Sequence, residues 1–140
     1  MNKTEIAREL HSVPLFSGLS QKELATVAGA AKAVSAEPGE VLAQEGERGV
    51  GFFLIHEGVA RVVVGGRTRR RLEKGATFGE IALLDGGPRT ASVVAETHME
   101  LLGVTEWAFK GLLLAHPSIT IKLLEQLASR LRTATSAATG

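Results

Sequence analysis

The chain has 140 residues, 44% of them hydrophobic and 22% charged, and a formal net charge of +1. This length is enough for one domain with a hydrophobic core, and the small net charge argues against a polyanionic partner. The absence of cysteine excludes disulfides and thiolate metal sites. No apolar run approaches the ~18 residues of a membrane span, and the acidic, amphipathic first residues do not form a secretory signal. We therefore expect a cytoplasmic protein.

The first part of the chain, residues 4–31, is predicted to be helical. One amphipathic helix is expected over residues 4–11, and a second over about 20–30. Ser20 is the expected N-cap of the second helix, because Glu23 follows three residues later and completes a capping box.

Short apolar runs separated by glycines fill the next part of the chain. Their spacing of roughly 8–12 residues is typical of a β-sandwich or barrel. The runs predicted to be strands are residues 41–42, 52–55, 59–64, 67–72, 92–95 and 100–104.

Helix returns after these strands, first with Thr105 as its cap and then from Pro117 to about residue 134. The last six residues are small and polar, and we expect them to fray. The order of helices, strands and helices defines an α+β fold. The prediction is one domain spanning residues 1–140, with N-terminal helices at 4–31, a β-roll at 33–104 and C-terminal helices at 105–134.

One predicted hairpin allows a finer inference about Arg70. Alternate residues of 59–64 face inward, including Val62 and Val64. A two-residue Gly-Gly turn would give the wrong parity, whereas a three-residue loop pairs Val64 with Thr68, Val62 with Arg70 and Ala60 with Leu72. Arg70 would then point into the barrel, where a buried arginine needs a partner. The alternative, a local bulge that returns Arg70 to solvent, remains open.

The most informative segment is residues 78–93, with the sequence Phe-Gly-Glu-Ile-Ala-Leu-Leu-Asp-Gly-Gly-Pro-Arg-Thr-Ala-Ser-Val. Gly79 has no Cβ, so an anion can approach the backbone, and a short helix over 79–84 would point its first N–H groups at that anion. Arg89 can donate two parallel hydrogen bonds to a cyclic phosphate. Glu80 can accept a hydrogen bond from a ribose hydroxyl. A plain surface salt bridge between these two residues is the alternative, and the continuous pattern favours the ligand.

Over about residues 13–133 the chain resembles cyclic nucleotide-binding domains, the family found in the catabolite activator protein and protein kinase A regulatory subunits. Besides the segment 78–93, which resembles the phosphate-binding cassette of that family, the matching stretches are 13–16, 39–42, 44–47, 52–55, 57–58 and 72–75. The resemblance implies an antiparallel, eight-stranded, jelly-roll-like β-roll flanked by helices. It also implies a non-enzymatic receptor or regulatory module for cyclic AMP or cyclic GMP, with movement of the C-terminal helix as its output.

The resemblance also assigns roles to individual residues. Glu80 would bind the ribose 2′-hydroxyl and Arg89 the cyclic phosphate. The rest of the cassette pocket would be formed by Gly79, Ile81, Ala82, Thr90 and Ala91. The barrel would contribute Val62, Arg70, Leu72 and Phe78, and the final helix would close over the base with Arg130, Thr133 and Ala134. A hydroxyl residue after the arginine occurs in receptors of both nucleotides, and we favour cyclic AMP.

Other kinds of site are poorly supported by the sequence. The four histidines, His11, His56, His98 and His116, lack the spacing of metal ligands, and no catalytic nucleophile motif is present, so we expect neither a metal nor catalytic residues. A cupin-type enzyme would need inward histidines, for which only His56 and His98 are candidates. The chain has no helix-turn-helix, so we expect a stand-alone receptor or a fragment of a larger protein that acts on an unidentified downstream partner.

Two further patterns leave alternatives open. The basic hairpin at 67–74 suggests an alternative function, a nucleic-acid- or protein-interaction domain with a vestigial nucleotide pocket, although a solvated strand face is favoured. The last helix has the spacing of a coiled-coil seam, which would form a homodimer. Packing of the same leucines on the barrel is the alternative to a dimer. The seam residues are Thr120, Leu124, Leu127, Leu131 and Ala134.

Overall fold

The order of elements agrees with the predicted α+β class. The structure is a computed structural model that describes residues 2–47, 51–79 and 88–139, with side chains as far as 136. Two helices, α1 (Lys3–His11) and α2 (Gln21–Ala30), flank a 3₁₀ turn at Pro14–Phe16. The strands are β1 (Lys32–Ala36), β2 (Val41–Ala43), β3 (Gly51–Glu57), β4 (Ala60–Val64), β5 (Arg67–Leu72), β6 (Thr77–Phe78), β7 (Ser92–Ala95) and β8 (Met99–Thr105). The chain then forms α3 (Glu106–Ala115) and α4 (Pro117–Thr139).

The strands form two four-stranded antiparallel sheets, in the orders β1-β8-β3-β6 and β2-β7-β4-β5. This confirms the predicted eight-stranded antiparallel roll. Two of the strands, β1 and β6, were not recognised as separate runs. The first buries only Ala36 and so lacks an apolar alternation, and the second has just two residues.

Strand β3 is buried on both faces of its sheet. Phe52 and Leu54 pack into a core shared with the helices, whereas Phe53 and Ile55 point into the interior of the roll. A strand covered on both sides reads as a continuous apolar run rather than an alternation. The neighbouring β8 divides its residues in the same way, with Leu102 and Val104 toward the helices and Met99 and Leu101 toward the roll.

An aromatic cluster fixes the helices on this sheet. The ring of Phe52 lies 5.7 Å from that of Phe16 and 5.8 Å from that of Phe109, measured between centroids. These tilted and edge-on contacts are the arrangements that aromatic rings prefer. They connect the 3₁₀ turn, β3 and α3, so the helical layer is anchored on the outer face of the sheet.

The predicted helix caps are confirmed. The Ser20 hydroxyl accepts from the Glu23 N–H at 3.2 Å, and the Glu23 carboxylate accepts from the Ser20 N–H at 2.9 Å, which completes the capping box. The Thr105 hydroxyl accepts from the Ala108 N–H at 3.1 Å at the start of α3.

The predicted loop of the β4–β5 hairpin is wrong. Val64 pairs with Arg67 across a two-residue turn, in which Gly65 and Gly66 have φ values of +57° and +79°. Such a turn matches the twist of the two strands. A bulge at Arg69 then restores the parity, so the predicted pairs of Val62 with Arg70 and of Ala60 with Leu72 are confirmed.

Arg70 is exposed, although it lies opposite buried Val62. The expectation of a buried arginine is therefore wrong, and the solvent-facing alternative is the observed one. The reason is the position of β5 at the edge of its sheet, where a long side chain can extend past the rim into water.

The last helix is longer than predicted, because α4 continues to Thr139 rather than ending near 134 and fraying. Alanine is the best helix former, and no glycine or proline interrupts the sequence between Pro117 and Gly140. The first half of α4 is docked through buried Ile119 and Leu123, whereas residues 128–136 are exposed. In the described part of the chain, no helix is both long and apolar enough to cross a membrane.

Candidate functional site

The two ends of the predicted cassette lie beside strands that belong to different sheets of the roll. Gly79 directly follows β6, which pairs with β3 through Phe78 and Phe53. Arg89 precedes β7, which pairs with β4 through Val93 and Val62. The predicted site residues Glu80, Ile81 and Ala82, with the short helix expected at 79–84 beyond Gly79, lie outside the described residues.

Arg89 is a buried cation that is held by backbone groups, with only 9% of its surface exposed. Its N–H donates to the Glu47 carbonyl and its carbonyl accepts from the Gly46 N–H, both at 2.8 Å. Its side-chain Nη2 donates to the carbonyl of Gly51 at 2.5 Å. Because both the backbone and the guanidinium are hydrogen-bonded, the direction of the side chain is fixed before any ligand arrives.

Gly79 is required by the position of Arg89. Gly79 has φ +94°, a conformation that side chains rarely adopt. A Cβ at this position would overlap Nη1 of Arg89 and lie 2.7 Å from the Gly51 carbonyl oxygen. From the sequence, we expected an anion to approach the backbone in this space. In the structure the guanidinium that is expected to bind the anion occupies it.

The loop between β2 and β3 connects the site to the rest of the roll. The Glu45 N–H donates to the buried Ser92 hydroxyl at 2.8 Å, and the Glu45 carboxylate accepts from the Gly65 N–H at 3.0 Å. Neither Ser92 nor Gly51 was predicted as a site residue. Gly51 contributes a backbone carbonyl, which has no side-chain signature, so no pattern in the sequence indicates its role.

The apolar residues predicted for the barrel wall lie in one buried cluster. Val62, Leu72 and Phe78 belong to the core of the roll, and the ring of Phe78 stacks on that of Phe53 with centroids 5.2 Å apart. Ala91 is half-buried and packs against the same core. The predicted barrel wall is therefore apolar and belongs to the core of the roll.

Other predicted site residues are not packed against this wall. Thr90 is exposed beside Arg89. Arg130, Thr133 and Ala134 are exposed on the distal half of α4, where the Thr133 hydroxyl donates to the Ser129 carbonyl at 3.1 Å. The structure does not place these three residues in a buried contact with the roll.

The basic hairpin is an exposed edge of the second sheet. Arg71 Nε donates to both carboxylate oxygens of Glu96, at 2.9 and 3.1 Å. The pKa of Arg71 is raised mainly by these hydrogen bonds and, to a smaller extent, by the negative charge of Glu96. The same hydrogen bonds are the main cause that lowers the pKa of Glu96. Arg67, Arg69 and Arg70 are exposed on β5. Charges on an edge strand discourage pairing with another chain, which explains this cluster as a solvated face.

A second charged cluster lies around His98, on the surface. The ring Nε2 is 2.7 Å from Glu100 and Nδ1 is 2.8 Å from Glu37. Both hydrogen bonds raise the pKa of His98, and the one with Glu100 has the larger effect. The Ser35 hydroxyl and then His98 lower the pKa of Glu100. In residues 2–47, 51–79 and 88–139, no group of three or more His, Cys, Asp or Glu side chains could hold a metal ion.

The comparison with protein families identifies the class of this domain. Residues 33–116, more than half of the chain, match the family model of the cyclic nucleotide-binding domain. The chain therefore belongs to the cyclic nucleotide-binding domain family.

One relative is named as a kinase regulatory subunit. The chain is 35% identical over 104 residues to a cAMP-dependent protein kinase regulatory subunit of Hypocrea atroviridis; the match covers 74% of this chain and 22% of that protein. The chain thus spans about a fifth of the length of this relative.

Two solved structures share the fold at 27% sequence identity. One is the N-terminal domain of a transcriptional regulator from Streptomyces coelicolor A3(2), with a TM-score of 0.85, covering 93% of this chain and 94% of that one. The other is cAMP-bound PfPKA-R, with a TM-score of 0.70, covering 90% of this chain and 47% of that one.

Proposed function

We propose that this domain is a receptor for a cyclic nucleotide, with cyclic AMP as the preferred ligand, and that it regulates a partner protein without catalysing a reaction. The observation that carries this proposal is the buried Arg89, whose backbone and side chain are both hydrogen-bonded beside Gly79. A buried guanidinium with a preset direction suits a compact anion such as a cyclic phosphate. The family membership supports the same ligand class.

The proposed preference for cyclic AMP is supported by similar proteins and not by an observed contact with the nucleotide base. One relative is named as a regulatory subunit of a cAMP-dependent kinase, and one similar structure contains bound cAMP. Thr90 is exposed next to the phosphate-binding arginine, so its hydroxyl is accessible to a ligand. In this proposal Thr90 contacts the phosphate, and Glu80 reads the ribose 2′-hydroxyl.

The output of binding is a movement of α4. The first half of this helix is docked by Ile119 and Leu123, and its second half is exposed. Arg130, Thr133 and Ala134 reach the base only after α4 has moved toward the roll. An unidentified partner in the cytoplasm then reads the new position of the helix.

The exposed side of α4 also supports self-association. Leu124 and Leu131 are 60% and 68% exposed, so packing on the roll does not account for them. Both belong to the predicted seam, and together they form an apolar stripe of the kind that pairs in coiled coils. We expect a homodimer in sedimentation at high protein concentration. A monomer at every concentration, with and without nucleotide, would exclude this dimer.

The direct test of the receptor proposal is a calorimetric titration of Arg89 variants with cyclic AMP. Arg89→Ala removes the charge expected to face the phosphate, and we expect a loss of roughly 2–5 kcal/mol in binding free energy. Arg89→Lys keeps the charge without the fork and should lose less. Urea unfolding controls for stability, because Arg89→Ala also leaves the Gly51 carbonyl without its donor. Equal affinity of all three proteins would place the phosphate elsewhere.

A further inference from the structure

One carboxylate connects the starts of α2 and α4. The Glu23 Oε1 atom accepts from the Ser20 N–H at 2.9 Å and from Lys122 Nζ at 2.6 Å. Its Oε2 atom accepts from the Ser118 hydroxyl at 2.7 Å. The Glu23 side chain is 13% exposed, whereas that of Lys122 is 38% exposed. Both oxygens of this largely buried carboxylate are therefore used, and two of the three donors belong to α4.

These contacts exceed what a helix cap requires. A capping box requires only one hydrogen bond of the Glu23 carboxylate, accepted from the N–H of the N-cap residue, and the Ser20 N–H already donates it. Ser118 and Lys122 lie 95 and 99 residues further along the chain, and at a spacing of four residues they share one face of α4. Glu23 thus lies at the N-terminal ends of two helices, where a negative charge is favourable.

The charge state of Glu23 agrees with this geometry. The hydrogen bond from Lys122, and then those from the Ser20 N–H and the Ser118 hydroxyl, lower the pKa of Glu23 from 4.5 to about 2. The carboxylate is therefore ionised at neutral pH. A cleft of about 500 Å³ opens beside it, lined also by Lys22, Thr26 and His116.

We infer that Glu23 is a latch that fixes the first turns of α4 to α2, so that the two helices move as one body. Ile119 and Leu123 anchor α4 through apolar packing, which has little directional preference. The hydrogen bonds to Glu23 have a fixed geometry and define the position of α4 relative to α2. The regulatory meaning of the latch rests on the proposed function, because ligand binding is what displaces α4. The coupling itself is a property of the ligand-free protein.

The first test measures this coupling without ligand, by hydrogen exchange of peptides covering α2 and residues 117–127. Glu23→Gln preserves the capping box, which accepts glutamine, but removes the charge. Lys122→Met removes the amine and leaves the cap intact. We expect each variant to speed exchange in the first half of α4 by about three- to tenfold. The double variant should add little, because both changes remove one shared interaction.

Lys110→Met is the matched control. It breaks the ion pair of Lys110 with Glu106, 2.8 Å long and confined to α3, so exchange in α2 and in residues 117–127 should not change. Unchanged exchange in α4 for Glu23→Gln and Lys122→Met, or fully additive effects in the double variant, would overturn the latch.

The second test adds saturating cyclic AMP. In the wild-type protein, exchange should change in both α2 and α4. In Lys122→Met the change should be confined to α4, because α2 no longer follows it. A wild-type response confined to α4, or an α2 response that persists in Lys122→Met, would contradict the latch. If no cyclic nucleotide binds, the receptor proposal fails, and the ligand-free experiment still decides whether Glu23 couples the helices.

Discussion

Replacing Gly79 by alanine tests how the site is built. The new Cβ would overlap Nη1 of Arg89 and crowd the carbonyl oxygen of Gly51, so the guanidinium must move. A side chain in a left-handed conformation costs about 1–2 kcal/mol, and losing the hydrogen bond to a buried carbonyl adds about 1–3 kcal/mol. We expect Gly79→Ala to lower the free energy of unfolding by about 2–5 kcal/mol.

Gly39→Ala is the matched control for this substitution. Gly39 has φ +89°, close to that of Gly79, but a Cβ there would meet nothing within 4 Å. It should lower the free energy of unfolding by only about 1–2 kcal/mol. Urea unfolding measures both variants. The difference between them isolates the displacement of Arg89 from the strain of the backbone.

The same pair of variants separates stability from binding. Because Gly79→Ala displaces the guanidinium, its affinity for cyclic AMP should fall by about tenfold or more, or 1.4 kcal/mol. Gly39→Ala should bind like the wild type, since its site is unaltered. Equal destabilisation by the two substitutions, together with equal affinities, would refute the idea that Gly79 is a glycine in order to accommodate Arg89.

Three further predictions concern single side chains. Glu80→Gln should weaken binding of cyclic AMP less than Arg89→Ala does. In calorimetry it should have almost no effect on binding of a 2′-deoxy analogue, because that ligand lacks the hydroxyl proposed to bind Glu80. Equal losses of affinity for both ligands would exclude this role of Glu80. Arg70→Ala should change the free energy of unfolding by no more than about 0.5 kcal/mol, because Arg70 is exposed, and a loss several times larger would mean that its side chain is buried. Hydrogen bonds to Glu100 and Glu37 raise the pKa of His98 above 6.5 in the folded protein. Protonated His98 therefore stabilises the folded state fully below pH 6.5, and this contribution is lost as the pH rises through the folded-state pKa. In urea unfolding across this range, His98→Gln should lack this pH dependence, and an identical profile for both proteins would contradict it.

The sequence predicted the architecture well because glycines and apolar runs mark the strands. The long, double-sided burial of β3 appears directly as the run 52–55, and the capping box at Ser20 identifies the start of α2. Strands β1 and β6 were not predicted because they lack an apolar run of this kind. The two residues of β6 are too few to form a pattern, and β1 has only one buried residue.

Details of the site depend on contacts that leave no mark in the sequence. The Gly51 carbonyl that holds Arg89 belongs to the backbone, so its role depends on the three-dimensional path of β3. The hairpin loop is one residue shorter than predicted, and the bulge at Arg69 compensates for this, so Val62 still pairs with Arg70. Parity alone could not distinguish a three-residue loop from a two-residue turn followed by a bulge.

The distal half of α4 illustrates a different limit. Arg130, Thr133 and Ala134 follow the family pattern, but their contact with a ligand depends on where the helix lies, which is a tertiary property. Their roles stay predictions, as do those of Glu80, Ile81 and Ala82.

The most direct test of the central claim is a calorimetric titration of the purified protein with cyclic AMP and cyclic GMP, with 5′-AMP as the control. The proposal predicts micromolar or tighter binding of cyclic AMP, weaker binding of cyclic GMP and no binding of 5′-AMP. Absence of binding to both cyclic nucleotides, in a protein shown by circular dichroism to be folded, would contradict the proposed receptor function.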